Sequence, residues 1–516
     1  MTFRPERCFR PFSYLFGLSR RESSLLYYPD KHNFCEMAKQ YDTVPVWAEF
    51  MADTITPISI FSHFADKPGS FLLESVEGGT KWGRYSFIGT DPVAYFKFKN
   101  GLLQTNEASI PCANPVKYMK EWMRLHHCPN IKGLPRFSGG CVGYFAYDIV
   151  RIFEPLPNAP EDDLGLPDAH FVACNDLIVY DHLKQRIIII VNANTTSGNA
   201  AVAYEKAKDK INIIYKNILT KQQIEPIELE QNSYDVSPMS NVSKEEYIEW
   251  VKKAKEYIKS GDIFQVVLSQ RYEMTSTANP FDIYRALRTL NPSPYMYYFN
   301  FDSYHVAGSS PESLVRVQDG MVETCPIAGT RGRGKSPEED EAMERELLND
   351  EKERAEHVML VDLGRNDIGK VAEYGSVKVE NLMHVEKYSH VMHLVTNVKG
   401  RLRQEKDAFD ALTACLPAGT VSGAPKVRAM QIIDEMERVR RGPYAGAIGY
   451  ISYNGNMDVC ITIRTAIFTK GNIYVQAGAG IVADSVPERE YYETANKAKA
   501  LLQAVALVEK RGVLTR

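Results

Sequence analysis

Two pairs of glutamates are the residues of this sequence with the clearest chemical potential. Glu353 and Glu356 are three residues apart, and so are Glu490 and Glu493. On a helix, residues at this spacing share a face, and two such faces brought together would form a cage of carboxylate oxygens. Such a cage suits Mg²⁺, which prefers oxygen ligands and commonly bridges to an anionic substrate. The spacing alone is also typical of a solvated helix surface, so both interpretations stay open at this point.

Three further segments carry groups that could hold an anion. Residues 476–481 follow an expected strand, and their small side chains would let backbone N–H groups approach a carboxylate or phosphate. Arg464 stands among β-branched residues in an expected strand, either paired in the interior or turned towards a ligand carboxylate. Residues 418–426 form a loop of small residues, hydroxyl groups and a lysine, but not in the order of a Walker phosphate loop. None of these segments identifies a ligand alone.

Local signals predict the helices and strands that would position these groups. Residues 336–339 (Ser-Pro-Glu-Glu) form a capping box with proline at the first helical position, which predicts a helix running towards Val361. Residues 485–488 repeat the pattern and predict a helix to about Lys510. Strands are predicted over residues 187–191, 297–299, 445–453, 459–468 and 473–477. Antiparallel strands followed by runs of helix indicate an α+β fold.

Composition excludes several classes of protein. The 516 residues are 44% hydrophobic and 24% charged with a net charge of -4, so a sizeable core is expected and no basic patch for nucleic acid stands out. No apolar run approaches the roughly 20 residues of a membrane span. The nine cysteines are scattered without a Cys-x-x-Cys pair, which favours free thiols in a reducing compartment such as the cytoplasm.

Four segments are predicted along the chain. Residues 1–36 are rich in arginine and aromatic residues and are expected to be a disordered extension, with an organelle transit peptide as the alternative. Residues 37–220 mix short strands with Gly- and Pro-rich turns. Residues 221–242 are polar and lack periodicity, which predicts a linker before a second region over 243–516.

Five strings of residues, taken in order, are distinctive. They are Gly308-Ser309-Ser310-Pro311-Glu312-Ser313, Pro326-Ile327-Ala328-Gly329-Thr330-Arg331, Lys352-Glu353-Arg354-Ala355-Glu356-His357 with Leu363-Gly364-Arg365-Asn366-Asp367, residues 419–426, and Gly478-Ala479-Gly480. This set resembles the chorismate-binding enzymes over roughly residues 40–510, and within them the members that form anthranilate. The resemblance implies an antiparallel β-sandwich of two sheets flanked by helices, with 243–516 as the catalytic region. It also implies a Mg²⁺-dependent lyase that converts chorismate and ammonia to anthranilate and pyruvate, the first step of tryptophan biosynthesis.

The resemblance assigns a role to individual residues of this sequence. Glu356 and Glu493 match the metal ligands, with Glu353 and Glu490 in support, and Glu312 matches the general acid that protonates the departing hydroxyl. By the same resemblance, His393 is expected in a loop near the leaving group, with Thr420 beside it. The enolpyruvyl carboxylate would be held by Arg464, Tyr444 and the backbone of Gly478, Ala479 and Gly480. Gly329 and Thr330 would contact the ring side, and Lys497 a carboxylate.

Two positions separate members of the family. Gln265 stands where the members that add water resemble one another in carrying a lysine base, and an amide can hydrogen-bond a neutral nucleophile but cannot deprotonate water. Ala328 stands where aminodeoxychorismate synthases typically carry a lysine. These residues favour the anthranilate-forming type. The large subunit of an aminodeoxychorismate synthase and a non-catalytic binding subunit remain as alternatives.

Regulation and partners are also implied by the resemblance. Residues 72–75 and 291–296 are similar to a feedback site for L-tryptophan, in which Ser75 and the backbone of Pro294, Tyr295 and Met296 would bind the amino and carboxylate groups. None of the nine cysteines stands in a glutaminase context. A separate glutamine amidotransferase subunit is therefore expected to supply ammonia in a hetero-oligomer.

Overall fold

The computed structural model describes residues 25–75, 83–196, 198–220, 224–227, 238–387 and 391–514. The strands are β1 Tyr27–Tyr28, β2 Thr43–Met51, β3 Phe71–Glu74, β4 Tyr85–Gly89, β5 Ala94–Lys99, β6 Leu102–Gln104, β7 Ser109–Pro111, β8 Gly140–Phe145, β9 Ala169–Cys174, β10 Asp176–Asp181, β11 Arg186–Asn194, β12 Met239–Ser240, β13 Gln265–Thr275, β14 Tyr295–Asn300, β15 Tyr304–Ser310, β16 Ser313–Gln318, β17 Met321–Thr324, β18 Ile327–Gly332, β19 Lys378–Lys387, β20 Val391–Arg401, β21 Gly423–Ala424, β22 Ala447–Ser452, β23 Met457–Ile461, β24 Thr465–Thr469 and β25 Asn472–Ile481.

The helices among these residues are α1 Lys31–Met37, α2 Pro57–Phe61, α3 Pro115–Arg124, α4 Ala200–Leu219, α5 Lys244–Lys259, α6 Pro280–Leu290, α7 Pro337–Asn349, α8 Glu351–Gly369, α9 Ala408–Cys415, α10 Lys426–Met436 and α11 Pro487–Leu514. Short 3-10 turns lie at Tyr147–Ile152 and Gly419–Val421. No helix in the described ranges is long and apolar enough to cross a membrane.

The strands form two antiparallel sheets. The first has the order β1-β2-β11-β10-β4-β3-β14-β15-β24-β25-β13-β12, with β21 beside β13. The second has the order β18-β20-β17-β16-β23-β22-β8-β9-β5-β6-β7, with β19 beside β20. The run of isoleucines in β11 pairs with β2 on one side and β10 on the other and is buried, as predicted for residues 187–191.

Three apolar layers hold the sheets and helices together. Aromatic and aliphatic side chains from both sheets, such as Phe71 and Tyr144, meet between them. A second layer packs α4, α6 and α11 on the outer face of the first sheet, and a third packs α3, α8 and α9 on the second sheet. The α+β fold with two antiparallel sheets flanked by helices, predicted from the resemblance, is confirmed.

The predicted segments 37–220 and 243–516 interleave within this sandwich. In the first sheet β3 lies beside β14, and in the second sheet β8 lies beside β22. Each sheet is therefore completed by strands from both sides of the predicted linker. Within that linker, Met239–Ser240 pairs with β13, while residues 221–223 and 228–237 lie outside the described residues.

Two local predictions are wrong. Residues 1–24 lie outside the described residues, but the last part of the expected disordered extension is ordered, because Asp30 caps α1 and Phe34 packs into the core. The single helix expected from Pro337 to Val361 is two helices. Asp350 ends α7 and caps α8 by accepting hydrogen bonds from the backbone N–H groups of Lys352 and Glu353.

Candidate active site

One cavity of about 500 Å³ collects most of the residues predicted to act on a substrate. It lies where β18, β20 and the middle of β25 meet Lys497 of α11 and the turn at Gly419–Val421. It is called the Glu312 cavity here. The predicted residues that line it are Glu312, Gly329, Thr330, His393, Thr420, Tyr444, Arg464, Gly478 and Lys497. These residues are up to 185 positions apart in the sequence, so only the fold brings them together.

Glu312 provides the cavity with an acid. It lies in the short connection between β15 and β16, where its carbonyl accepts a hydrogen bond from the N–H of Ile461 (3.0 Å). Burial raises the pKa of its carboxyl to about 7, although the Thr420 hydroxyl and the charge of Lys497 lower it. Thr420 Oγ1 donates to Glu312 Oε1 at 2.8 Å. A carboxyl group with this pKa can donate a proton to a leaving group near neutral pH.

His393 faces Thr330 across two paired strands. It lies in β20 rather than in the loop expected from the sequence, because Thr330 and His393 are partners in the β18–β20 ladder. Gly329 has a left-handed backbone (φ +65°) at a bulge in β18, and its carbonyl lies 2.9 Å from His393 Nδ1. The Thr330 hydroxyl lies 3.1 Å from the same nitrogen, so Nδ1 donates to the Gly329 carbonyl when it carries the proton and can accept from Thr330 when it does not.

Two cationic side chains, Arg464 and Lys497, also line the cavity. Arg464 lies between β23 and β24 in a left-handed conformation (φ +51°), so the continuous strand predicted over 459–468 is wrong at this residue. Arg464 is largely buried, donates to the carbonyl of Lys497 (2.8 Å), and forms no ion pair with a carboxylate of the described residues. Burial lowers its pKa. Lys497 adds a second cation, paired with Glu493 at 2.7 Å. A buried guanidinium without a protein carboxylate suits an anionic ligand.

The glycines of residues 478–480 lie within β25 rather than in the turn expected after a strand. At Gly478 a Cβ would lie 2.8 Å from the Tyr444 hydroxyl, and at Gly480 a Cβ would lie 2.5 Å from Gln265 Nε2. Both glycines therefore let a functional side chain approach the strand backbone. Ala479 is fully buried in the strand and does not line the cavity.

The four glutamates converge beside this cavity. Glu356 is in the middle of α8, and burial together with the negative charges of Glu353 and Glu493 raises its pKa. At the start of α11, burial and the charge of Glu493 raise the pKa of Glu490. The charge of Glu493 on α11 thus reaches Glu356 on α8, so the two pairs lie near each other, but they form no closed cage among the described residues.

The arrangement fits a magnesium ion that is completed by other ligands. Within the described ranges no three His, Cys, Asp or Glu side chains are close enough to enclose a metal ion. Mg²⁺ usually takes one or two protein carboxylates and fills its shell with water and substrate oxygens, so two glutamates suffice. A cation there would also offset the repulsion that raises the pKa of Glu356.

Gln265 links Glu356, one of the predicted metal ligands, to strand β13. It begins β13 and donates from Nε2 to Glu356 Oε1 at 3.2 Å. Its other amide atom, Oε1, is buried without a hydrogen-bond partner among the residues that the structure describes. An unpartnered buried acceptor is costly, so a ligand N–H beside it would be stabilised.

The predicted tryptophan residues lie in a second cavity, of about 750 Å³, called the Ser75 cavity here. Ser75, Pro294, Tyr295 and Met296 line it, between the two sheets. Ser75 Oγ is buried and has no hydrogen-bond partner among the described residues. Pro294 lines both cavities, so one short connection after α6 forms part of two walls.

Sequence reasoning missed other parts of the Glu312 cavity. Pro292 and Ser293 line it, although the sequence pointed to them only as part of the tryptophan motif. Gln476 was predicted only as the first residue of a segment whose backbone could bind an anion, but its side chain also lines the cavity and is 7% exposed, with Nε2 donating to Ser269 Oγ (2.8 Å). No local pattern could have indicated these contacts, because they depend on how β13, β25 and α6 meet.

Several known proteins are similar to this chain in sequence or in fold. A family model described as chorismate binding enzyme matches residues 70–503. The chain is 57% identical over 488 residues to anthranilate synthase component 1 of Acetivibrio thermocellus, covering 93% of this chain and 99% of that protein. It is 50% identical over 485 residues to the protein of the same name from Aquifex aeolicus, covering 92% and 97%.

A solved structure extends the likeness to three dimensions. The crystal structure of anthranilate synthase component I from Streptococcus pneumoniae matches with a TM-score of 0.75 and 42% identity, covering 88% of this chain and 98% of that one. The resemblance drawn from the ordered strings is therefore confirmed. The chain belongs to the chorismate-binding enzyme family and, within it, to the group of anthranilate synthase component 1 proteins.

Proposed function

We propose that this chain is the large subunit of an anthranilate synthase, and that it converts chorismate and ammonia to anthranilate, pyruvate and water in the Glu312 cavity. One observation supports this most directly. A single cavity holds an acid with a pKa of about 7 at Glu312 and, at Arg464, a largely buried guanidinium that forms no ion pair with a carboxylate of the described residues. That combination suits a dicarboxylate from which a hydroxyl group must leave.

The cavity can bind such a substrate in one orientation. Its volume of about 500 Å³ is in the range of small-molecule sites. Arg464, with the Tyr444 hydroxyl near the Gly478 backbone, would hold the enolpyruvyl carboxylate, and Lys497 would contribute a second positive charge. The ring would then lie against Gly329 and Thr330. Two charged ends at fixed positions would restrict the ring to one pose.

In that pose, Glu312 and His393 would act at the leaving hydroxyl. As ammonia forms a bond to C2, the C4–O bond breaks and Glu312 donates the proton that turns the departing group into water. The hydroxyl of Thr420 holds the Glu312 carboxyl in place. In the second step the C2 proton is removed, the C–O bond between the ring and the enolpyruvyl group breaks, the departing enolpyruvate takes up a proton to become pyruvate, and the ring becomes aromatic.

Glu356 and Glu493 would hold the Mg²⁺, with Glu353 and Glu490 in support. When bound, the ion would supply positive charge that offsets the negative charges of the glutamates and of the ring carboxylate. Arg331 holds Glu353 (3.4 Å) and Asp350 (2.7 Å), which fixes the start of α8. The protein's contribution is therefore to hold two carboxylates at one edge of the cavity.

Ammonia is the nucleophile favoured by Gln265, which is not among the lining residues of the Glu312 cavity but lies two residues before Val267, one of them. Gln265 can accept a hydrogen bond from ammonia at its unpartnered Oε1 but cannot act as a base for water. Ala328 lines the cavity at the position where aminodeoxychorismate synthases typically carry a lysine. The relatives' name, component 1, implies a second component. We infer that this is a glutamine amidotransferase, and we place the complex in the cytoplasm.

The Ser75 cavity would bind L-tryptophan as a feedback inhibitor. The unpartnered hydroxyl of Ser75 is available to the amino group, and the backbone of Pro294, Tyr295 and Met296 to the carboxylate. The volume of about 750 Å³ accommodates an indole ring between the sheets.

The decisive experiment incubates the purified chain with chorismate, Mg²⁺ and an ammonium salt. We expect the fluorescence of anthranilate to appear without any added lyase, together with an equal amount of pyruvate. Accumulation of a non-fluorescent aminated product would instead identify an aminodeoxychorismate synthase subunit, and no turnover would indicate a non-catalytic binding subunit. Glu312→Gln is the matched variant, since it keeps the shape of the side chain but cannot donate the proton, and it should lose about 10²–10⁴-fold in kcat.

Feedback and metal dependence are tested in the same assay. Tryptophan should inhibit the reaction, and a chelator should stop it until Mg²⁺ is restored. Unchanged rates under either condition would contradict that part of the proposal.

A further inference from the structure

An ion pair inside the protein touches several walls of the Glu312 cavity. Arg441 is 2% exposed and Glu437 is 5% exposed, four residues apart just after α10. Arg441 Nε donates to Glu437 Oε2 (2.8 Å), and its NH2 group donates to Oε1 (2.6 Å). The pair is thus bidentate and almost completely removed from water.

The remaining donors of Arg441 hold two backbone segments. One terminal nitrogen donates to the carbonyl of Val421 and the other to that of Val267, both at 2.7 Å. Val421 follows Thr420, the hydroxyl partner of Glu312, and Val267 lies two residues after Gln265 in β13. A single planar guanidinium therefore fixes the distance between the turn at Gly419–Val421 and this strand.

The carboxylate of Glu437 reaches a third wall. Its Oε1 accepts hydrogen bonds from the N–H (2.8 Å) and hydroxyl (2.9 Å) of Ser269. Ser269 Oγ in turn accepts from Gln476, which lines the cavity. The guanidinium also lies 5.6 Å from the ring centre of Tyr444, the residue assigned to the enolpyruvyl carboxylate.

Stability does not explain this arrangement. Burying two charges costs several kcal/mol per ion before their attraction is counted, and well-packed apolar replacements are often as stable. What an apolar pair cannot do is hold two carbonyl groups, a serine and a tyrosine at fixed positions. We infer that Arg441 and Glu437 are positioning residues for the reaction, acting through Thr420 on the proton donor Glu312. This inference rests on the proposed function.

The test combines kinetics, pH dependence and unfolding of the full-length chain, with ammonium salt, chorismate and Mg²⁺. The double variant Arg441→Met/Glu437→Leu replaces the ion pair with apolar groups. We expect it to fold with a Tm near that of the wild type and to lose on the order of 10²-fold in kcat, with a smaller change in KM, because small displacements of catalytic groups have effects of that size. Arg186→Met is the control, since Arg186 is a mostly buried arginine (18% exposed) that lines neither cavity, and its kcat should stay near that of the wild type.

A double-mutant cycle, read out by the pH dependence of kcat/KM, distinguishes a positioning role of Arg441 from a merely structural one. Arg441→Lys keeps the charge but cannot hold both carbonyls, so the alkaline limb of kcat/KM should move to higher pH, as it should in Thr420→Val. In the Thr420→Val background the same lysine substitution should add no further movement. If it moves the limb equally in both backgrounds, or if the folded double variant keeps a kcat within about threefold of the wild type, Arg441 has no positioning role. If the wild type itself forms no anthranilate, the proposed function fails rather than this inference.

Discussion

The hydroxyl of Thr420 should set the pH at which the enzyme loses activity. Glu312 must be protonated to act as the acid, so kcat/KM should fall as pH rises through about 7 in the wild type. Thr420 lowers the pKa of Glu312 through a hydrogen bond of 2.8 Å to the carboxylate form. Thr420→Val removes that bond, so the pKa of Glu312 must rise and the alkaline limb must move to higher pH.

The size of this movement follows from the strength of the bond. Hydrogen bonds to charged groups contribute about 1.5–3 kcal/mol, and about 1.4 kcal/mol corresponds to one pKa unit. The midpoint of the alkaline limb of kcat/KM should therefore move from about pH 7 to about pH 8–9 in Thr420→Val. The ratio of variant to wild-type kcat/KM should then increase by about 10- to 50-fold between about pH 6 and about pH 9. The absolute rate at low pH should fall, because the carboxyl loses its orientation.

The assay records anthranilate fluorescence at saturating Mg²⁺, with total ammonium adjusted at each pH to keep free ammonia constant. Thr420→Ser is the matched control, since it keeps the hydroxyl and should keep the limb near its wild-type pH. An unchanged limb in Thr420→Val, or a movement to lower pH, would show that Glu312 is not the titrating acid.

The other predictions concern the metal, the inhibitor and a strand glycine. Glu356→Gln should abolish turnover and weaken Mg²⁺ binding measured by calorimetry, whereas Glu353→Gln should only weaken turnover; equal losses would refute the division of roles. Ser75→Phe should relieve tryptophan inhibition without abolishing activity, and unchanged inhibition would place the inhibitor elsewhere. Gly480→Ala puts a methyl group 2.5 Å from the amide nitrogen that bonds Glu356 and should lower kcat by about 10–100-fold. Gly369→Ala, where a Cβ meets nothing within 4 Å, should leave kcat unchanged, and a similar loss in both variants would remove the steric argument.

Much of the fold could be predicted where local chemistry decides it. The buried strand at Arg186–Asn194 and the helix start at Pro337 follow from side-chain type and capping alone. The break at Asp350 had a local signal that was missed, because Asp350 with Glu353 three residues later has the spacing of a helix cap. The conformation of Arg464 had no such signal, since β-branched neighbours favour a continuous strand and only tertiary contacts impose its positive φ.

The candidate site divides in the same way. Ordered strings of residues pointed to Glu312, Thr420 and the pair Glu353 and Glu356, and the three-residue spacing near an expected helix start pointed to Glu490 and Glu493. The positioning role inferred for Arg441 could not be predicted from the sequence, because it depends on hydrogen bonds to carbonyl groups of residues 20 and 174 positions away. Contacts of this kind exist only after the two sheets have assembled.

Pro294 lines both the Ser75 cavity and the Glu312 cavity, and this shared position has a kinetic consequence. If a ligand in the Ser75 cavity displaces this residue, the Glu312 cavity changes shape without any atom of the inhibitor entering it. By thermodynamic reciprocity, chorismate must then weaken tryptophan binding by the same factor. If tryptophan is that ligand, it would behave in steady-state kinetics as a competitor of chorismate without contacting it, and a rise in chorismate would relieve the inhibition.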